Sequence, residues 1–131
     1  MRQITKRLTS GHDLRTEIEK LLKDENVKAG VIVSCVGSLH PAVVRMPVVD
    51  KPVVRTYDEP LEIVSMTGTV SIHGHHIHLS FSDSKGNVYG GHLKEGCIVR
   101  TTVELVVLAF DDVSYRRLPD AKTGYDELVV Q

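Results

Sequence analysis

From Ile77 to Leu93 the chain reads IHLSFSDSKGNVYGGHL, an alternation that a β-hairpin satisfies and a helix does not. Ile77, Leu79 and Phe81 recur at every second position, with His76, His78, Ser80 and Ser82 between them. Strand side chains alternate between two faces, so one face is apolar core and the other carries imidazoles. Ser84-Lys85-Gly86 suits a three-residue connection: a type I turn, then a glycine at positive φ. That turn sets Asp83 opposite Asn87, and in succession Ser80 opposite Gly90, His78 opposite His92 and His76 opposite Lys94. Directly opposed Cβ atoms stand about 4.5 to 5.5 Å apart, and the next residue along the same face lies within about 8 Å. His76, His78 and His92 are therefore expected to converge. Gly90 leaves space beside them facing Ser80, and Gly91 bares backbone on the opposite face. Ser80, Gly90 and Gly91 are the candidate ligand-contacting positions. A slip of two residues would carry His92 away from His78 without changing faces.

Imidazoles from two adjacent strands match an open zinc site, with nitrogens about 2.0 to 2.1 Å from the metal and one position left for water or substrate. Nickel, cobalt and iron share this ligand preference, and zinc is the first expectation. The plainer alternative is a set of polar side chains on a solvated strand face or at a subunit contact. Zinc lowers the pKa of its water to about 7, but a reaction also needs a proton carrier and groups that position the substrate. Ser80, Ser82 and Glu62 are the candidates for assistance. No Ser-His-Asp set, phosphate-cradling glycine loop or HExxH motif can be assembled, so no catalytic residue is assigned.

The 131 residues suit one domain spanning positions 1–131, with an ordinary 41% apolar and 25% charged content. No apolar run approaches the roughly 20 residues of a membrane span, and MRQITKRLTSGHDL lacks the apolar stretch of a signal peptide. A cytoplasmic protein with no membrane partner is expected. A net charge of −1 removes the broad electrostatic argument for binding a polyanion. Cys35 and Cys97 have no CxxC spacing and sit in strand-like runs, so both are expected to be buried, reduced thiols.

Arg2 to Leu8 suits an edge strand. Ser10 to Asp13 offers a helix cap before Leu14, Ile18, Leu21 and Leu22, whose spacing predicts a helix to Asp24 or Glu25, with His12 exposed near its start. VKAGVIVSCV, residues 27–36, is so uniformly apolar that a central strand covered on both faces is expected, with His40 in the following turn and Ala42 to Met46 returning beside it. The prolines between Pro47 and Pro60 suit short edge strands, and Leu61 to Ile72 a longer one. Gly74 is expected to bend the chain before the hairpin, leaving His73 and His75 solvated or in a supporting position. Cys97 to Phe110 reads as a long central strand, on which Glu104 could pair with Arg100 or with a partner chain. In the tail a loop separates two short segments, and Arg116-Arg117 is expected to be solvated or ion-paired.

Several short patterns together resemble one family. They are Gly11-x-Asp13-Leu14, Gly37-Ser38-Leu39 and Leu61-Glu62-Ile63-Val64-Ser65-x-x-Gly68, then His76-x-His78-x-Ser80, Gly86, Gly90-Gly91-His92-Leu93, Gly96-Cys97 and Thr123-Gly124-Tyr125-x-Glu127-Leu128. In order and spacing they resemble the plants-and-prokaryotes-conserved (PPC) domain, whose plant members are the AT-hook nuclear-localised proteins. The resemblance implies a single α+β domain: a largely antiparallel sheet of about seven strands, one main helix packed on it, and assembly into a homotrimer. Plant relatives reach AT-rich DNA through a separate Arg-Gly-Arg-Pro hook. No such segment occurs in these 131 residues, and Arg45, Arg55, Arg100 and Arg116-Arg117 are scattered. The histidine pattern resembles the prokaryotic branch. Three functions follow as expectations. The first is a homotrimeric binding or regulatory module with a transition metal on His76, His78 and His92 and a small-molecule or protein ligand. The second is a metal-dependent, hydrolase-like enzyme acting on a small molecule beside Gly90. The third is direct DNA binding through a trimer surface.

Overall fold

Leu14, Ile18, Leu21 and Leu22 recur at helical spacing, and in the computed structural model, which describes residues 1–131, they form the buried stripe of helix α1 (Leu14–Asp24). Asp13 caps it. Its Oδ1 accepts from the Thr16 backbone N–H at 3.0 Å, satisfying a donor that the first turn leaves free. Its Oδ2 accepts from the Gly96 N–H at 2.7 Å and so anchors the helix start to a distant loop.

Ten strands accompany the helix: β1 (Arg2–Thr9), β2 (Gly30–Leu39), β3 (Ala42–Arg45), β4 (Val54–Tyr57), β5 (Leu61–Ser71), β6 (Gly74–Ser82), β7 (Val88–Leu93), β8 (Val99–Ala109), β9 (Tyr115–Pro119) and β10 (Asp126–Val130). Eight form one antiparallel sheet in the order β1-β8-β2-β5-β6-β7-β3-β4, and β9 and β10 form a separate hairpin. The architecture is α+β, as expected. It exceeds the seven or so strands expected because the proline-rich segment supplies an edge strand, β4, and the tail pairs with itself. The α1 stripe joins the inward residues of the sheet, among them Leu8, Ile77, Leu79, Phe81, Leu93 and Leu105, in one apolar core. No helix is long and apolar enough to cross a membrane.

Several expectations are corrected. Strand β2 is central, between β8 and β5, yet its outward Val33 and Val36 are 54% and 57% exposed. The chain has one helix to cover one face of the sheet, so the second face of this apolar run stays open. Strand β3 pairs with β7 and β4 instead of β2, because both edges of β2 are already occupied by β8 and β5. Gly74, at φ 134°, ends the tight turn between β5 and β6, with Ser71 directly opposite it, so no break follows within β6. His75 therefore keeps the register of Ile77 and points to the helix side, where its Nε2 lies 2.9 Å from Glu19 Oε1 and its side chain is nearly buried. Arg116 Nη1 lies 3.0 Å from His73 Nδ1, and Arg117 Nη2 donates to Thr69 Oγ1 at 2.7 Å. These arginines, half-buried and without an ion pair, tie the tail hairpin to the sheet. Glu104 lies opposite Arg7 of β1 and forms no ion pair with Arg100. Both cysteines are buried and free, and burial pushes the Cys35 thiol up to about 12 and Cys97 to about 11.

Candidate metal centre

The β6–β7 hairpin has the register expected from its turn. His78 lies opposite His92, Gly91 opposite Leu79, and Gly90 opposite Ser80. The turn locks this pairing: the Asp83 N–H donates to the Asn87 carbonyl at 3.0 Å, and Asp83 Oδ1 accepts from the N–H groups of Lys85 and Asn87, both at 2.9 Å. The ladder ends at His78 and His92, so His76 and Lys94 are not paired; the Lys94 N–H donates to Val43 instead. Neighbouring strands continue the row across the open face. Thr67 of β5 sits opposite His78, and Arg45 of β3 sits opposite His92. Period-two alternation thus places Thr67, His78, His92 and Arg45 side by side on four strands, with His76 one step along.

The three imidazoles form a cluster in which one ring nitrogen from each lies within 4.8 Å of the others. His76 Nε2 and His78 Nε2 are 3.0 Å apart, and ring centroids are separated by 4.7, 5.3 and 5.6 Å. Tetrahedral ligands about 2.05 Å from zinc stand about 3.3 Å from one another. The His76–His78 spacing of 3.0 Å is close to that value, and the wider pairs stay within 4.8 Å. His92 Nδ1 is buried without a hydrogen-bond partner, a polar atom of the group that nothing in the chain satisfies. The donor set and its geometry fit a borderline-soft divalent cation such as zinc.

Burial and neighbouring positive charge keep the ring lone pairs of His76 and His92 available. Burial, and then the Arg45 guanidinium, push His92 down to about 4; burial, and then His78 and Arg117, push His76 below the usual imidazole range. A metal ligand must be deprotonated, so this environment favours the binding form at neutral pH. The unfolded His92 imidazole titrates near 6.5, so as pH falls from 6.5 towards 4 the unfolded chain takes up a proton that the folded chain refuses. The metal-free protein is expected to lose stability through that window. NMR titration of the His92 ring should give a midpoint near 4, with the denaturation midpoint falling over the same range. A ring midpoint near 6.5 would contradict this environment.

Two cavities flank the cluster. One, of about 570 Å³, meets His78 and His92 and includes Ser80, Gly90 and Gly91 in its wall. A Cβ at Gly90 would run into the Leu79 carbonyl, and one at Gly91 would lie 2.6 Å from the Arg45 carbonyl. These glycines serve the close approach of adjacent strands, so the space expected at Gly90 lies beside the strand and not at its Cβ position. Ser82 and Glu62 are paired with each other and line neither cavity. The second cavity, of about 380 Å³, meets His76 and His92 and is closed by Arg117, Asp126 and Glu127 of the tail hairpin. Arg45 lines both. Sequence reasoning missed Arg45, Thr67 and the tail residues; only the β3–β7 and β5–β6 pairings bring the first two to the row.

Residues 1–111 match the model of the Plants and Prokaryotes Conserved (PCC, or PPC) domain, and the chain belongs to that family. The tail hairpin follows the matched segment. A hypothetical protein from Salmonella has the same fold at a TM-score of 0.91, with 33% identity over 99% of this chain and 93% of that one. A metal-containing protein from Archaeoglobus fulgidus superposes at a TM-score of 0.86, with 30% identity over 98% of this chain and 94% of its own. In sequence, a bifunctional protein GlmU from Synechococcus is 38% identical over 95% of this chain, which spans only 20% of that protein's length. Proteins from Bacteroides thetaiotaomicron and Ralstonia eutropha, named as candidate DNA-binding proteins, share the fold at 18% and 21% identity.

Proposed function

We propose that this PPC domain holds a transition metal, zinc first, on His76, His78 and His92 and works as a homotrimeric binding or regulatory module for a ligand in the adjoining cavity. The observation that carries the reading is the convergence of three imidazole nitrogens within 4.8 Å beside a cavity of about 570 Å³. Three protein ligands would leave one position of a tetrahedral metal open to water or ligand. Zinc held there would supply Lewis acidity at the cavity wall. The chain's own groups would orient what enters: Thr67 and Ser80 through their hydroxyls, Arg45 through its charge. That a 30% identical archaeal relative is a metal-containing protein supports the same reading.

Assembly draws its support from the open sheet face. Val33, Val36 and Val64 are more than half exposed on β2 and β5, an apolar surface that a monomer would leave in water. DNA contact has weaker support, because the neighbours named for it share the fold alone and this chain carries a net charge of −1.

The reading is tested by titrating zinc into chelator-treated protein against a chromophoric competitor. Uptake of about one equivalent per chain, at an affinity that falls with pH as the imidazoles are protonated, is expected. Absence of any saturable uptake would overturn it.

A further inference from the structure

We infer that the cavity beside His78 and His92 binds a small oxyanion, a carboxylate or a phosphate group, through Arg45. This rests on the metal-centre reading and deepens it by fixing the charge class of the ligand. Arg45 is half-buried and stands directly opposite His92 in the β3–β7 ladder, so its placement is set by strand register and not by a mobile loop. Its guanidinium has little to do within the protomer. Nη1 donates to the Met46 carbonyl at 3.3 Å, and no carboxylate comes within ion-pair distance of it. A guanidinium presents five N–H donors in a planar fork that fits the oxygens of carboxylate or phosphate, and here most of them are unspent on the wall of a cavity.

The remainder of that wall agrees. Ser65, Thr67 and Ser80 line the cavity and bring hydroxyl donors to its wall. No aspartate or glutamate lines it. The contrast with the cavity on the far side of His76 is chemical: there Asp126 and Glu127 stand in the wall beside Arg45 and Arg117 and offset their positive charge. An anion is therefore directed to one side of the histidines. The volume of about 570 Å³ lies within the range of small-molecule sites. A cation on the histidines would add positive charge to the same wall, so anion and metal binding should reinforce each other.

The test is isothermal titration of the zinc-loaded and the metal-free full chain with malonate and, separately, with inorganic phosphate, at constant ionic strength. Zinc per chain is measured on every sample. Saturable binding is expected, weakened about tenfold or more by Arg45→Gln, because a charge-assisted hydrogen-bond pair is lost. Zinc content should be unchanged in that variant, and Arg117→Gln, in the other cavity, should bind the anion within about twofold of the parent. Malonate binding alone assigns a carboxylate ligand, and phosphate binding alone a phosphoryl ligand. Equal affinity in Arg45→Gln, or no saturable binding of either anion to protein that holds its zinc, overturns the inference. Arg45-dependent binding by protein that never takes up zinc would uphold the oxyanion site and overturn the metal centre instead.

Discussion

Replacing His92 by alanine is expected to abolish stoichiometric zinc binding while leaving the fold intact. His92 is the one histidine of the three contributed by β7, and it lies between His78 and Arg45 in the cross-strand row. Without it, two imidazoles on one strand remain, which is a common surface arrangement and a poor metal site. The affinity should fall by more than about 100-fold, since loss of even a supporting partner of a metal ligand costs about 10- to 100-fold. The folded metal-free state should hardly notice. The lost ring is half-buried with an unpartnered Nδ1, so truncation removes an uncompensated polar atom along with some packing. Circular dichroism and the denaturation midpoint of the metal-free variant are the controls. His40→Ala, at a turn where that ring meets Asp58 at 3.1 Å, should retain full zinc binding. Retention of one zinc per chain by His92→Ala would refute the ligand assignment.

The second large effect concerns what holds the histidines in place. Phe81 is fully buried on the inward face of β6, in the strand that carries His76 and His78 outward, and its ring meets Tyr57 edge-to-face with centroids 5.2 Å apart. Phe81→Ala should lower unfolding stability by about 3 to 5 kcal/mol through lost burial and the cavity left behind. Small domains have about 5 to 15 kcal/mol in total, so this one change should remove a large part of it. Urea unfolding of the metal-free protein measures it. A loss below about 1 kcal/mol would mean that the hairpin is not anchored through its inner face.

The hairpin was legible because its information is local. Asp83, Gly86 and the alternation on either side of them fix turn, register and face within twenty residues, and three histidines fall together as a consequence. The helix was legible for the same reason, through Asp13 and the Leu14-Ile18-Leu21-Leu22 stripe. Arg45 was not. Its place beside His92 depends on β3 crossing to the far side of β7, a long-range pairing that no turn residue announces. His75, expected to be solvated or in a supporting position, is held nearly buried against Glu19, a contact set by the packing of the distant helix that no residue beside Gly74 announces. The apolar run of β2 correctly marked a central strand but not a fully covered one. Uniform hydrophobicity reports that both faces avoid water and leaves open whether the cover is intramolecular; the valines on its outer face are instead the surface on which the proposed homotrimer would close.

The most direct test of the account is metal content per chain, by elemental analysis of untagged protein purified without added metal or chelator, with its mass in solution measured on the same sample. The account predicts about one zinc or other transition-metal ion per chain in a particle three chains in mass. A metal-free protein that cannot be reloaded with zinc, nickel, cobalt or iron would contradict it.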